Sequence, residues 1–353
     1  MSATRSNSPL PGYARLFTMQ TKTPQDSKED ITWRFVAHRG ANNDAPDNTL
    51  LHLPENTLPA MQEAYRVGAH YVECDIHMTR DQRIVVIHDD TLERTASFNP
   101  KNSGTLSRER FDAILKTPIP ELSYDDEVSQ VSVGAYNIKI PEAYHTTSIS
   151  PLENFLSQLR GDVNKRLIIE LKAGDVAIVA VLQKLIERCM TELDLKPQQL
   201  VFISFDYHLI AASKKVLSQH KHLFLTTATP GDPDEARPDP NHPGKTLGYY
   251  HLIRDKITLE KYIQMAKDAG LDGLDVEYDA KLIDADFIRT IHASKMLCAI
   301  WTYQKDDNLV TARRMLEAGA DFINTNQPQF VFEQLQADRL VAEASSSQQL
   351  KKQ

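Results

Sequence analysis

Short apolar runs alternate with amphipathic stretches along most of the chain. The runs predict strands at Phe35–His38, Tyr71–Ile76, Ile84–His88, Leu167–Leu171, Val201–Ser204, Leu223–Thr227, Gly273–Val276, Leu297–Thr302 and Phe322–Asn324. Helical periodicity fills most of the intervals, at Thr57–Val67, Val176–Leu193, Tyr207–Leu217, Leu259–Ala269, Ala285–Ser294 and Asn308–Ala318. Gly68, Gly270 and Gly319 each follow a helix, where a left-handed capping residue belongs. Repeated strand–helix alternation predicts a parallel sheet, open or closed into a barrel.

Nine strands are one too many for an eight-stranded barrel. Ile84–His88 follows Tyr71–Ile76 across only His77–Arg83, too short for a crossover helix. The two are therefore expected to pair antiparallel about a turn near Thr79–Gln82, which brings His88 level with Asp75. The eight strands that remain give the expected fold class, α/β with a single TIM-type (β/α)8 barrel, insertions, and a short β-hairpin excursion after strand 2. Residues 1–30 are expected to form a flexible N-terminal arm, 31–335 the barrel domain, and 336–353 a polar C-terminal tail. Three segments read as insertions: 41–53, 118–150 with its acidic cluster Glu121, Asp125, Asp126 and Glu127, and 230–244, dense in Pro and charge. Loops that follow barrel strands lie on the catalytic face, although long polar segments are more often solvated surface loops.

Composition narrows the class. The 353 residues are 41% hydrophobic and 25% charged, so the chain can bury a large core. A net charge of −8 gives no attraction to phosphate backbones, and no nucleic-acid partner is expected. Cys74, Cys189 and Cys298 are too scattered for a disulfide framework or a zinc site and read as reduced thiols. No apolar run reaches the ~18 residues of a membrane span, and the N-terminus has no signal-peptide core. The expected location is cytoplasmic; export by a signal-independent route would leave no mark in the sequence.

The candidate chemistry gathers at strand ends. The first strand closes on His38-Arg39-Gly40 and the return strand on His88-Asp89. The second strand carries Glu73 and Asp75, and the next Glu170 and Lys172, each pair two residues apart and so on one face. Three carboxylates form an oxygen-only set suited to Mg²⁺ or Ca²⁺. Two histidines can serve as general acid and base, and Arg39 and Lys172 supply fixed positive charge for a phosphate. Taken singly, a strand-end histidine is usually structural and Glu170–Lys172 reads equally as an ion pair. Together the set is the equipment for opening a phosphodiester.

The ordered series His38-Arg39-Gly40, Pro54-Glu55-Asn56-Thr57, Glu73-Cys74-Asp75, His88-Asp89 and Glu170-Leu171-Lys172 resembles the glycerophosphodiester phosphodiesterase family, and Ser204-Phe205 and Trp301-Thr302 resemble its strand ends. The resemblance covers about Arg34–Phe330. It implies a phospholipase-C-like TIM barrel, one divalent cation held by Glu73, Asp75 and Glu170, and His38 and His88 as the acid–base pair. It implies hydrolysis of glycerophosphodiesters such as glycerophosphocholine to glycerol 3-phosphate and an alcohol. Lysophospholipase D action is the runner-up, for which Leu50, Leu51 and Leu53 would supply an apolar entrance. A catalytically silent barrel that binds phosphodiesters is the non-enzyme alternative.

Arg39 and Lys172 are expected at the phosphate, with Glu55 beside the metal or holding Arg39. Asn56 is expected to cap the helix starting near Thr57. Trp301 and Phe205 read equally as an apolar wall of the site or as core. His77 shares the face of Glu73 and Asp75 but lies beyond the expected strand end. The sequence departs from the family pattern in the long gap between Gly40 and Pro54, in Asp81-Gln82 where Asp-Gly is usual, and in Asn326 where an Asp is usual. An Asn lacks that charge, so Asn326 is expected to be structural. The order of proton transfer between the two histidines, and the choice of glycerol hydroxyl or water as nucleophile, stay open.

Overall fold

The computed structural model describes residues 31–43, 50–98, 106–172, 174–228, 237–238, 246–247, 251–303 and 305–337. Eight parallel strands close a barrel: β1 (Phe35–Ala37), β2 (Tyr71–Met78), β6 (Arg166–Leu171), β7 (Leu200–Ser204), β8 (Lys221–Thr226), β11 (Gly273–Glu277), β12 (Leu297–Trp301) and β13 (Phe322–Thr325). Closure is direct, because β1 pairs with β13 on one side (Phe35↔Ile323) and β2 on the other (Val36↔Tyr71). This is the expected (β/α)8 barrel. Its inward residues, Val36, Tyr71, Ile168, Val201, Ile203, Leu223, Leu225, Ala299 and Phe322, form one apolar cluster that fills the floor below the mouth.

The helices follow from local signals. The long α4 (Ala177–Glu192) buries Ile178, Val179, Leu182, Leu185, Ile186 and Cys189, a stripe at three- and four-residue spacing. Asp206, Asp255, Asp284 and Asn308 cap α5 (Tyr207–Val216), α6 (Lys256–Asp268), α7 (Ala285–Ala293) and α8 (Leu309–Ala318) by accepting backbone N–H bonds. Each cap ends a loop at the barrel mouth and fixes where the chain turns back.

The expected hairpin is present. β3 (Ile84–Val86) returns antiparallel to β2 with Ile76↔Val86 in register. Ile87, not His88, lies level with Asp75, its N–H donating to the Asp75 carbonyl at 3.0 Å. The turn runs through Gln82 at φ 60°, the left-handed region that suits the usual glycine. β2 continues to Met78 and so includes His77.

The 118–150 segment is not a solvated loop. Ile119, Leu122, Val128, Val131, Val133 and Ile149 pack with Phe111 and Ile114 of α2 (Arg108–Lys116) and with Val85 in a second, separate core. β4 (Ala96–Ser97) and β5 (Ser132–Val133) pair within it. Asp81 pins this unit to the hairpin, accepting from Thr79 Oγ1, Tyr124 N and Ser123 Oγ at 2.6, 2.8 and 3.0 Å. Most of its polar residues face out, although Ser123, Glu127 and Ser132 are buried, and the apolar ones are spaced too irregularly to show a period. The helices α2 and α3 (Leu152–Ser157), nine and six residues long, bury only two and three apolar side chains, too few repeats to mark a helix in the sequence, and α1 (Leu58–Arg66) starts one residue after its expected start.

The expected arm (1–30), most of the tail, and much of insertions 41–53 and 230–244 lie outside the described residues; β9 (Arg237–Pro238), within the last, pairs antiparallel with β10 (Thr246–Leu247) just beyond it. Among the described residues no helix is long and apolar enough to cross a membrane.

Candidate active site

A cavity of about 290 Å³ opens at the C-terminal end of the barrel strands, lined by His38, Arg39, Glu55, Glu73, His88, Glu170, Lys172 and Trp301 among others. Of the residues expected from sequence, only Asp75 is not in its lining, and it lies directly beneath, fully buried. Parity on two neighbouring strands explains the convergence, since Asp75 pairs with Glu170 in the β2–β6 register.

Carboxylate oxygens of Glu73, Asp75 and Glu170 lie within 4.8 Å of one another, all buried. Burial and the charges of Asp75 and Glu170 push Glu73 well above the usual carboxylate range. Burial pushes Glu170 up to about 7 against the pull of Lys172. Asp75 is held well below its usual value, because Lys172, His88 and Arg39 outweigh its burial. Lys172 Nζ bridges Asp75 Oδ1 at 2.8 Å and Glu170 Oε1 at 2.6 Å, off the hydrogen-bonding direction for the first. Glu73 Oε1 is buried with no hydrogen-bond partner. An orphaned oxygen among close, mutually repelling carboxylates fits a hard divalent cation.

Arg39 and Asn56 both adopt left-handed backbone, at φ 56° each, and both serve the triad. Arg39 N–H donates to Glu73 Oε2 at 2.9 Å, and its Nη1 donates to Glu55 Oε1 at 3.0 Å. Asn56 does not cap the helix. Its amide donates to Asp75 Oδ2 at 2.7 Å and accepts from Asp75 N at 3.1 Å, while Thr57 occupies the cap with no side-chain bond to the helix, its hydroxyl donating to Pro54 O instead. Gly40, at φ 83°, permits the tight approach, since a Cβ there would sit 2.7 Å from the Ala60 backbone.

Glu55 holds Arg39, as one of its two expected roles required. Arg94, which the sequence did not single out, grips it from the other side: Nη1 and Nη2 donate to Glu55 at 2.9 and 2.7 Å, and Nε to Asp89 Oδ2 at 2.6 Å. Glu55 falls to about 2, as Arg39 and Arg94 outweigh its burial. Tyr136, from the insertion, accepts the Glu55 N–H at 3.1 Å.

The histidines face the cavity with unlike partners. His38 Nδ1 lies 2.8 Å from Asn326 Oδ1, and its Nε2 is 3.9 Å from Glu73 Oε2. His88 Nδ1 lies 2.6 Å from Asp89 Oδ1. Burial, then Arg39, lowers His38 to about 3, and burial, then Lys172, lowers His88. Asn326 is thus a partner of His38 and not a remote structural residue. His77 Nε2 lies 3.1 Å from the His88 carbonyl oxygen, bracing the return strand end. Trp301 packs edge-on to Phe205 and Tyr303 at 5.8 and 5.2 Å and donates Nε1–H to Thr226 O at 3.0 Å, so it walls the cavity and anchors to the barrel at once.

The chain is 28% identical to a glycerophosphodiester phosphodiesterase of Caldanaerobacter subterraneus subsp. tengcongensis over 51% of its own length and 61% of the relative's. It is 32% identical to a glycerophosphocholine phosphodiesterase of Schizosaccharomyces pombe over 34% of its length and 10% of that protein. A lysophospholipase D of Homo sapiens is 33% identical over 26% of this chain and 28% of its own length. These alignments therefore span less than two thirds of each curated relative. The fold matches a glycerophosphodiester phosphodiesterase from Agrobacterium tumefaciens (TM-score 0.56, 19% identity, 85% of this chain and 99% of that one). It also matches a phosphodiesterase of Oleispira antarctica in complex with the product sn-glycerol-3-phosphate (TM-score 0.58, 18% identity, 86% and 96%). The glycerophosphoryl diester phosphodiesterase family model matches residues 38–330, most of the sequence, and the chain belongs to that family.

Proposed function

We propose that the protein hydrolyses glycerophosphodiesters such as glycerophosphocholine to glycerol 3-phosphate and an alcohol. The observation that carries this is the buried Glu73–Asp75–Glu170 triad with His38 and His88 lining one cavity. Glu73, Asp75 and Glu170 would hold one divalent cation, Mg²⁺ or Ca²⁺, which when bound offsets charge on a phosphate oxygen. Arg39 and Lys172 brace the other oxygens, both already oriented by carboxylates. His38 and His88 move the protons, one from the nucleophile and one to the leaving alcohol. The proposed nucleophile is the adjacent glycerol hydroxyl, giving a cyclic phosphate that water then opens; recovery of cyclic glycerol phosphate in early turnover supports it, and its absence favours direct attack by water. Trp301, Phe205 and Tyr303 offer an apolar side to the substrate's carbon skeleton. Three buried, unpaired cysteines support a reducing compartment such as the cytoplasm.

The test is release of glycerol 3-phosphate from glycerophosphocholine with Mg²⁺, with Ca²⁺ and with chelator. Turnover should stop in chelator and in His38→Ala and Glu73→Ala. Folded protein with no turnover in either metal sinks the assignment. Exposed Leu51 and Tyr303, on loops following β1 and β12, favour lysophospholipids as a second substrate class. Faster release of choline from lysophosphatidylcholine than from glycerophosphocholine would make that class the main one.

A further inference from the structure

His38 and Asn326 are 288 residues apart in sequence and meet across the seam between β1 and β13. The seam sets their approach: Ala37 pairs with Thr325, and His38 N–H donates to the Thr325 carbonyl at 3.0 Å. Asn326 is in turn seated by Asp307, a buried residue of the loop between β12 and α8. Asp307 Oδ2 accepts the Asn326 N–H at 2.6 Å and Oδ1 accepts the Thr325 hydroxyl at 2.8 Å. The Gln327 side-chain amide donates to the Asp307 carbonyl at 2.8 Å. Three hydrogen bonds thus fix residues 325–327, and they aim the Asn326 side chain at one nitrogen of one histidine.

An amide oxygen only accepts, so the imidazole nitrogen facing it carries the proton. A neutral ring has one N–H. With that proton on Nδ1, the lone pair is on Nε2, the nitrogen on the Glu73 side. His88 is held otherwise: its Nδ1 lies against the Asp89 carboxylate that Arg94 grips, and no amide oxygen dictates which nitrogen is bare.

We propose that Asn326, seated by Asp307, is the positioning residue that holds His38 in its Nδ1–H form, making Nε2 the proton acceptor and leaving His88 as the donor. This rests on the phosphodiesterase activity proposed above and assigns the two roles within it. His38 Nε2 takes the proton of the attacking hydroxyl as its oxygen bonds to phosphorus. His88 gives a proton to the alcohol oxygen as its bond to phosphorus breaks. When water opens the cyclic phosphate, His88 takes a proton from water and His38 returns one to the glycerol oxygen, so both rings end as they began.

The experiment compares glycerophosphocholine with a glycerol phosphodiester bearing a p-nitrophenol leaving group, whose departure needs no proton. Asn326→Leu should lower kcat about 100-fold on both substrates with little change in KM, the cost of a misdirected base. Asn326→Asp, which only accepts, should rescue most of that loss. His88→Ala should be far less impaired on the nitrophenyl diester, whereas His38→Ala is impaired equally on both. Selective recovery of His38→Ala on the nitrophenyl substrate, or an Asp variant as poor as Leu, overturns the assignment. Nitrogen NMR of the imidazoles gives a readout that needs no turnover. It should show His38 protonated at Nδ1 and bare at Nε2 in the native protein and in Asn326→Asp, and a mixture in Asn326→Leu. A native His38 protonated at Nε2 ends the proposal even in an active enzyme. A native Nδ1–H in a protein that cleaves neither diester ends the proposed activity alone.

Discussion

Arg94 donates to Glu55 and Asp89 together, and through them it reaches Arg39 on one side and His88 on the other. Five carboxylates at the site (Glu55, Glu73, Asp75, Asp89, Glu170) face three cations (Arg39, Arg94, Lys172), an excess that the proposed divalent cation would balance. Arg94→Leu releases both acids and should lower turnover about 10–100-fold in folded protein, the usual effect of losing a partner behind a metal site. Wild-type rates of glycerol 3-phosphate release in that variant would show the clamp to be idle. Asp275 offers a different residue-scale test. It points into the barrel beside Leu225 and Ala299 in register, its Oδ1 has no partner, and burial with the nearby Glu170 charge raises it to about 8. An acid with a folded pKa above its unfolded value binds more protons folded than unfolded between the two. Stability therefore falls as pH rises from about 4 to about 8. Asp275→Asn removes that loss and should raise the melting temperature in chelator at pH above 8, with the gain vanishing toward pH 4. An equal gain at both ends would contradict this origin.

At the level of elements, the β2–β3 hairpin brings His88 to the site and carries its own strain. Gln82 occupies the left-handed turn position, which costs an L-residue about 1 kcal/mol that glycine escapes. Gln82→Gly should raise the thermal midpoint slightly without changing activity, since the side chain is exposed and remote from the cavity. A lowered midpoint would mean that the unfolded-state entropy of glycine outweighs the relief. The insertion packed on this hairpin has a separate apolar core and reaches the site through Tyr136, so it supports one wall of the mouth.

Across the whole molecule, barrel closure and the candidate metal site are linked. β1, with the shortest strand of the barrel, is held between β13 and β2, and its end supplies the Arg39 N–H that binds Glu73. Cation binding to the triad should stabilise the fold, by about 2.7 kcal/mol at a hundredfold excess over Kd. Thermal unfolding with added Mg²⁺ or Ca²⁺ checks this. The shift should disappear in Glu73→Gln, and an equal shift in that variant would place the cation elsewhere.

Strand–helix alternation, the impossibility of a crossover between Ile76 and Ile84, and the two-residue spacing of Glu73 with Asp75 and of Glu170 with Lys172 are local facts, so the barrel, the hairpin and the metal-site candidates were legible in the sequence alone. Side-chain parity on a strand depends only on neighbours in the chain. The partners of those residues were decided by closure. Asn56 looked like a helix cap and binds Asp75 because β2 runs beneath it; Asn326 looked structural and faces His38 because β13 seals against β1. Arg94 carried no spacing signal, and its two carboxylates come from loops that meet only when the barrel is complete. Hydrogen bonds between residues far apart in sequence leave no periodic trace, and only the folded chain brings their donors and acceptors within reach.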